Sequence, residues 1–216
     1  MELVIKNMSK KIRGKSILND VNLTLESGNV YAFVGENGAG KTMLFRAASG
    51  LMKLSKGNVY LDGKKLHQDF EILPGLGIML ENVGLYPELS GYENLKLLAK
   101  IRGKVGKDEI IEWIKKVGLD PSDKKAFRKY SLGMKQRLIF AQALMEKPDI
   151  LMLDEPTNAL DADGVNTIRK LILGEKERGT LIMIASHNRE DIKIMADVVY
   201  SVKNGCVALE EDNYEK

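Results

Sequence analysis

Val30-Tyr31-Ala32-Phe33-Val34-Gly35-Glu36-Asn37-Gly38-Ala39-Gly40-Lys41-Thr42 decides the fold. Its first five residues are apolar without alternation, which predicts a strand buried on both faces, as in a parallel sheet covered by helices. Next come a glycine, four residues and Gly-Lys-Thr, the pattern of a phosphate-binding loop between a strand and a helix. Glycines let backbone N–H groups turn inward on phosphate oxygens without Cβ clashes, and the helix N-terminus adds positive potential. Gly35, Glu36, Asn37, Gly38, Ala39, Gly40, Lys41 and Thr42 are therefore candidate nucleotide-binding residues. Lys41 supplies a charge between the β- and γ-phosphates, and the Thr42 hydroxyl an oxygen for the shell of an octahedral Mg²⁺.

Working outward, Ile150-Leu151-Met152-Leu153 and Leu181-Ile182-Met183-Ile184-Ala185 repeat the continuous apolar character. A helical pattern comes after the first of these, with Val165, Ile168, Leu171 and Ile172 on one face, Asp163 as the predicted N-cap and Gly174 as a stop. Strand, loop and helix thus recur, and the class is α/β. Residues 2–27 instead alternate, as in Val21, Leu23 and Leu25, which suits an antiparallel sheet open to water on one side. From 88 to 146 three sets keep helical spacing: Tyr92, Leu95, Leu98 and Ile101; Ile110, Trp113, Ile114 and Val117; Met134, Leu138, Ala141 and Met145. Residues 91–137 also hold 13 Lys/Arg against 6 Asp/Glu, setting this stretch apart. The expected organisation is one domain over 1–216, in which 1–87 and 147–216 form an α/β core with a β-subdomain and 88–146 a helical subdomain.

A chain of 216 residues, 44% hydrophobic and 29% charged, is neither disordered nor collagen-like. Its net charge of +3 is too small to argue for nucleic acid, and none is expected as a partner. No stretch approaches 18 uninterrupted apolar residues and the N-terminus lacks a basic-then-apolar leader, so a cytoplasmic chain that spans no membrane is expected. Cys206 stands alone and reads as a buried small hydrophobe, His67 as a surface residue, and Glu210-Glu211-Asp212 as a solvated tail.

The second apolar run ends in Asp154-Glu155. Behind a phosphate loop, Asp154 at the strand tip suits Mg²⁺ through its water shell. Glu155 suits a hydrogen bond from an attacking water, which it would polarise.

Further elements stand in fixed order around these: Tyr130-Ser131-Leu132-Gly133-Met134-Lys135-Gln136-Arg137, then Asp154-Glu155-Pro156-Thr157, Asn158-Ala159-Leu160-Asp161 and Ala185-Ser186-His187. Together with the phosphate loop they resemble the nucleotide-binding subunit of an ATP-binding cassette (ABC) transporter, over essentially the whole chain. The resemblance implies a P-loop NTPase core that hydrolyses ATP with Mg²⁺ to power transport through a separate polytopic permease. The subunit would sit on the cytoplasmic face of the membrane through that permease. It implies two subunits packed head to tail, each ATP lying between one phosphate loop and the other signature loop. Ser131 and Gly133 match the signature positions that meet the partner's γ-phosphate. His187 matches the switch histidine beside the γ-phosphate and Glu155, and Asp161 the loop that crosses to the opposite subunit. Lys41, Glu155 and His187 are thus the expected catalytic set, with Thr42, Asp154 and Glu81 at the metal.

Departures from the family pattern are informative. Glu81 stands where a glutamine is usual; a carboxylate still offers the metal an oxygen but gives up the amide donor. Leu132 replaces a glycine, and Met134 a frequent glutamine. Ile12 falls where an aromatic residue commonly stacks on adenine, which predicts weak nucleotide affinity. Glu81-Asn82, the stretch from Leu85 to Leu95 and Ser131 to Arg137 look most like exporters of antimicrobial peptides and drugs. Leu85 and Tyr86 either fill a cleft in the permease or plug the chain's own core. Three other readings are weaker: a soluble relative acting on ribosomes or DNA, a nucleotide kinase, and a catalytically weak partner of an active subunit.

Overall fold

The computed structural model describes residues 1–80 and 84–210. In chain order its elements are β1 (Glu2–Ile12), β2 (Lys15–Glu26), β3 (Val30–Val34), α1 (Lys41–Ser49), β4 (Lys56–Leu61), β5 (Lys64–Lys65), β6 (Leu76–Met79), α2 (Gly91–Arg102), α3 (Lys107–Lys116), a 3-10 turn (Phe127–Lys129), α4 (Leu132–Leu144), β7 (Ile150–Asp154), α5 (Ala162–Glu177), β8 (Leu181–Ala185), α6 (Arg189–Met195), β9 (Val198–Lys203) and β10 (Cys206–Leu209). Two sheets result. One is antiparallel in the order β2-β1-β4-β5; the other runs β10-β9-β3-β8-β7-β6, parallel except for the edge strand β10.

The uninterrupted apolar runs are explained by two cores on opposite faces of the second sheet. Ile150 and Met152 of β7 and Leu181, Met183 and Ala185 of β8 join a core with α1 and the inward face of the antiparallel sheet. Leu151 and Leu153, with Ile182 and Ile184, join the other core, formed with α2 to α5. Burying each of the Ile, Leu and Met side chains contributes about 1.5–3 kcal/mol, so both faces hold these strands centrally. The antiparallel sheet alternates as its sequence predicts: Leu3, Ile5, Met8, Val21, Leu23 and Leu25 are buried between exposed or half-buried neighbours.

Among the described residues of 88–146 the regular elements are all helical. Helix α2 starts at a capping box: Ser90 Oγ accepts from the Glu93 N–H and Glu93 Oε2 from the Ser90 N–H. The buried Asn94 side chain accepts from the Tyr86 N–H at 2.8 Å and donates to the Tyr86, Leu89 and Ser90 carbonyls, fixing the loop ahead of the helix.

Several local expectations are corrected. The N-cap of α5 is Asp161, not Asp163, and the helix runs through Gly174 to Glu177 because Ile168 and Ile172 anchor the turns leading to that glycine in the core. Cys206 is exposed, since β10 is the outer edge of its sheet. His67 is half-buried: its N–H donates to the Phe70 carbonyl at 2.7 Å, closing a turn that draws the ring in, and Nδ1 meets Glu71 Oε2 at 3.2 Å. Of the apolar pair before α2, Leu85 is buried in the helical core and Tyr86 is exposed. Among the described residues no helix is long and apolar enough to cross a membrane.

Candidate functional site

The ends of β3, β7 and β8 converge on a cleft of about 740 Å³. The phosphate loop forms one wall. Gly40, at φ 116°, turns the chain into α1, and the Lys41 ammonium bonds inward to the carbonyls of Gly35 at 2.6 Å and Glu36 at 3.3 Å. Gly35 packs so tightly on the Val202 carbonyl that a Cβ would lie 2.3 Å from its oxygen, so glycine is required there for contact as well as for turning. Glu36 and Ala39 close the loop through an Ala39 N–H to Glu36 carbonyl bond of 3.1 Å, and Asn37 and Gly38 line the cleft.

Opposite the loop, Thr42 Oγ1 donates to Asp154 Oδ2 at 2.5 Å. Asp154 is 5% exposed. These two hard oxygens suit Mg²⁺. Among the described residues no group of three or more His, Cys, Asp and Glu side chains is arranged to hold a metal. The expected third contributor, Glu81, lies outside the described residues.

Glu155 leaves β7 in left-handed backbone, φ 51°. That conformation costs about 1–3 kcal/mol in a residue other than glycine. Two tertiary bonds and one turn bond hold it there: its N–H donates to the Ala185 carbonyl at 2.8 Å, and its carbonyl accepts from Gln136 Nε2 at 2.8 Å and, within the turn, from the Asn158 N–H at 3.2 Å. Its carboxylate Oε2 lies 2.9 Å from His187 Nδ1, while Oε1 is buried without a protein partner. An acceptor in that state is suited to a water. His187 itself is 65% exposed at the rim. Behind this pair, buried Asp191 of α6 accepts from Thr157 Oγ1 and binds Arg169 through Nε at 2.8 Å and Nη2 at 2.6 Å, joining the segments that carry Glu155 and His187.

Ser131 and Gly133 do not line this cleft. They border a second hollow of about 540 Å³ with Leu132, Arg137 and Asp161. Ser131 caps α4, its Oγ accepting from the Met134 N–H at 3.2 Å, and the exposed Leu132 borders both hollows. Arg137 binds Asp161 at 2.5 Å and donates to the Val117 carbonyl. Together with the Gly164 N–H, that guanidinium holds the Asp161 carboxyl below its usual range. Ile12 sits half-buried at the end of β1, and the residue of this hairpin that lines the cleft is Ile17. Sequence reasoning misses Ile17, whose place in an alternating strand carries no signal, and gives no role to Gln136 within the signature motif.

The family profile described as ABC transporter matches residues 18–158. The chain is 42% identical to the uncharacterized ABC transporter ATP-binding protein YybJ of Bacillus subtilis, covering 96% of this chain and 95% of that one. It is 37% identical to the lantibiotic transport ATP-binding protein SrtF of Streptococcus pyogenes, over 97% and 90%. It is 39% identical to the bacitracin transport ATP-binding protein BcrA of Enterococcus faecalis, over 95% and 68%. In fold it matches an ATP-binding cassette solved as a dimer with ADP and Pi, with a TM-score of 0.86, 23% identity and 99% of each chain covered. With that profile and those relatives matched, and with Lys41, Thr42, Asp154, Glu155 and His187 gathered on one cleft, this chain belongs to the ABC transporter family, as one of its ATP-binding subunits.

Proposed function

We propose that this subunit hydrolyses ATP at a site completed by a second copy or a homologous subunit, and so drives a separate polytopic permease. The observation that carries the reading is the pairing of Glu155 with His187 at 2.9 Å, on the cleft that also holds Lys41 and the Thr42–Asp154 contact. In this reading Gly35 to Thr42 cradle the phosphates, and Lys41 exchanges its loop carbonyls for phosphate oxygens. Thr42, Asp154 and Glu81 would hold Mg²⁺, which when bound offsets charge on the phosphates. Glu155 orients and polarises the attacking water, and His187 holds the Glu155 carboxylate and the γ-phosphate side of the cleft. Ser131 and Gly133, with the N-terminal N–H groups of α4, meet the γ-phosphate of the nucleotide held by the other subunit. Ile12 and Ile17 supply aliphatic contact to the base.

The cargo we infer is a peptide, antibiotic or drug-like molecule moved outward, supported by the relatives named for lantibiotic and bacitracin transport. The subunit then sits on the cytoplasmic face of the membrane, held by the permease, with the helical stretch 88–146 and exposed Tyr86 as its contact region. Tagged chain drawn from native membranes in mild detergent should bring down a polytopic protein in near-equal amount; recovery with ribosomes or DNA instead would favour a soluble ABC ATPase. Glu155→Gln should bind ATP, lose hydrolysis and accumulate as a nucleotide-bound dimer by light scattering. Full turnover in that variant removes Glu155 from its role.

A further inference from the structure

Glu155 is held in a backbone conformation its own sequence disfavours. It is not glycine, yet its φ is 51°, and Pro156 after it favours extended backbone rather than any helical turn. Within the loop its carbonyl accepts only the Asn158 N–H, at 3.2 Å, and a closer bond holds it from outside the β7 loop. The side chain that does so is Gln136, whose Nε2 donates to the Glu155 carbonyl at 2.8 Å from the second turn of α4. Gln136 is half-buried and lines the cleft, on the same helix that Ser131 caps.

We propose that Gln136 is a positioning residue for hydrolysis: it sets the Glu155 peptide, and through it the carboxylate at His187, and ties that setting to the signature helix. The inference deepens the reading above and rests on it for the catalytic role of Glu155. Its physical content is a lever. The rigid helix α4 carries Ser131 and Gly133 at one end, which in that reading engage the nucleotide of the opposite subunit, and Gln136 about one turn further on. A shift of α4 on engagement moves the Gln136 amide and hence the Glu155 carbonyl. The acid of one site thus senses occupancy of the other. Hydrogen bonds to a peptide carbonyl have directional preference, so displacement of the amide reorients the peptide as well as stretching the bond. The Glu155 N–H bond to the Ala185 carbonyl fixes the preceding peptide, on the other side of the Glu155 Cα, and serves as the fulcrum.

The test compares the intact chain with Gln136→Leu, which keeps bulk and loses the donor, and Gln136→Lys, which restores an N–H donor on a longer stem. ATP turnover and amide hydrogen exchange are measured on each. In Gln136→Leu, kcat is expected to fall about 10- to 100-fold while the KM for ATP stays within about twofold. Exchange at the Glu155 and Asn158 amides should quicken about tenfold with the β7 amides unchanged. Gln136→Lys should recover most of both. A Gln136→Leu chain with unaltered exchange at those amides overturns the proposal, as does one with unaltered kcat in a wild-type background that turns over ATP. If the wild-type chain hydrolyses no ATP, the functional reading fails, while the exchange measurement still decides whether Gln136 holds this peptide.

Discussion

Thr42 Oγ1 donates to Asp154 Oδ2 at 2.5 Å, joining the first turn of α1 to the tip of β7 across 112 positions of chain. The contact gathers two hard oxygens beside the phosphate loop. Replacing either should abolish metal-dependent turnover, since Mg²⁺ contributes several kcal/mol of charge stabilisation at a phosphoryl centre, or about 100-fold or more in rate. Titrating Mg²⁺ into Asp154→Asn at saturating ATP measures this. A wild-type Mg²⁺ profile in that variant would falsify the assignment.

Base recognition is expected to improve when an aromatic ring is supplied. A stacking ring contributes about 1–3 kcal/mol per base, so Ile12→Tyr should tighten ATP about tenfold or more in a fluorescent-nucleotide titration. Ile17→Tyr is the matched comparison, because Ile17 lines the cleft. Gain of affinity in Ile17→Tyr alone would move the base contact to β2.

Asp191 is fully buried and binds Arg169, itself 7% exposed, and Thr157. Asp191→Ala leaves the guanidinium in the interior without its buried partner and should cost about 3 kcal/mol in urea unfolding. Glu190, 3.3 Å from Arg169, limits the loss. Replacing the pair together, as Asp191→Leu with Arg169→Met, should restore much of it. Stability lost equally by single and double variants would show that packing, not the unpaired charge, sets the cost.

The Asp161 carboxyl is held below its usual range, chiefly by the Arg137 side chain and then by the Gly164 N–H. A depressed carboxylate contributes stability above its unfolded value near 3.9, and that contribution disappears as pH falls through the folded value. The unfolding free energy of wild type should therefore decline more steeply below about pH 4 than that of Asp161→Asn, with the two curves converging in acid. Parallel curves across this window would detach the Arg137–Asp161 contact from acid sensitivity.

The amino-acid sequence alone determined the α/β class, the central parallel strands, the antiparallel alternation near the N-terminus and the phosphate loop, because burial on one or both faces writes itself into runs and periods of a few residues. Val30–Val34 and Ile150–Asp154 were legible for this reason. The order of five short motifs likewise made the family readable without coordinates. Tertiary structure alone decided what depends on partners far along the chain. Asp161 rather than Asp163 became the cap of α5, with Arg137 supplying its second contact. Leu85 turned inward and Tyr86 outward, and Cys206 emerged at a sheet edge. Gln136 came to hold the strained Glu155 peptide, a relation that no local pattern announces. A side chain that bonds a distant backbone leaves no periodic trace in its own segment, so such contacts appear only when packing brings the segments together.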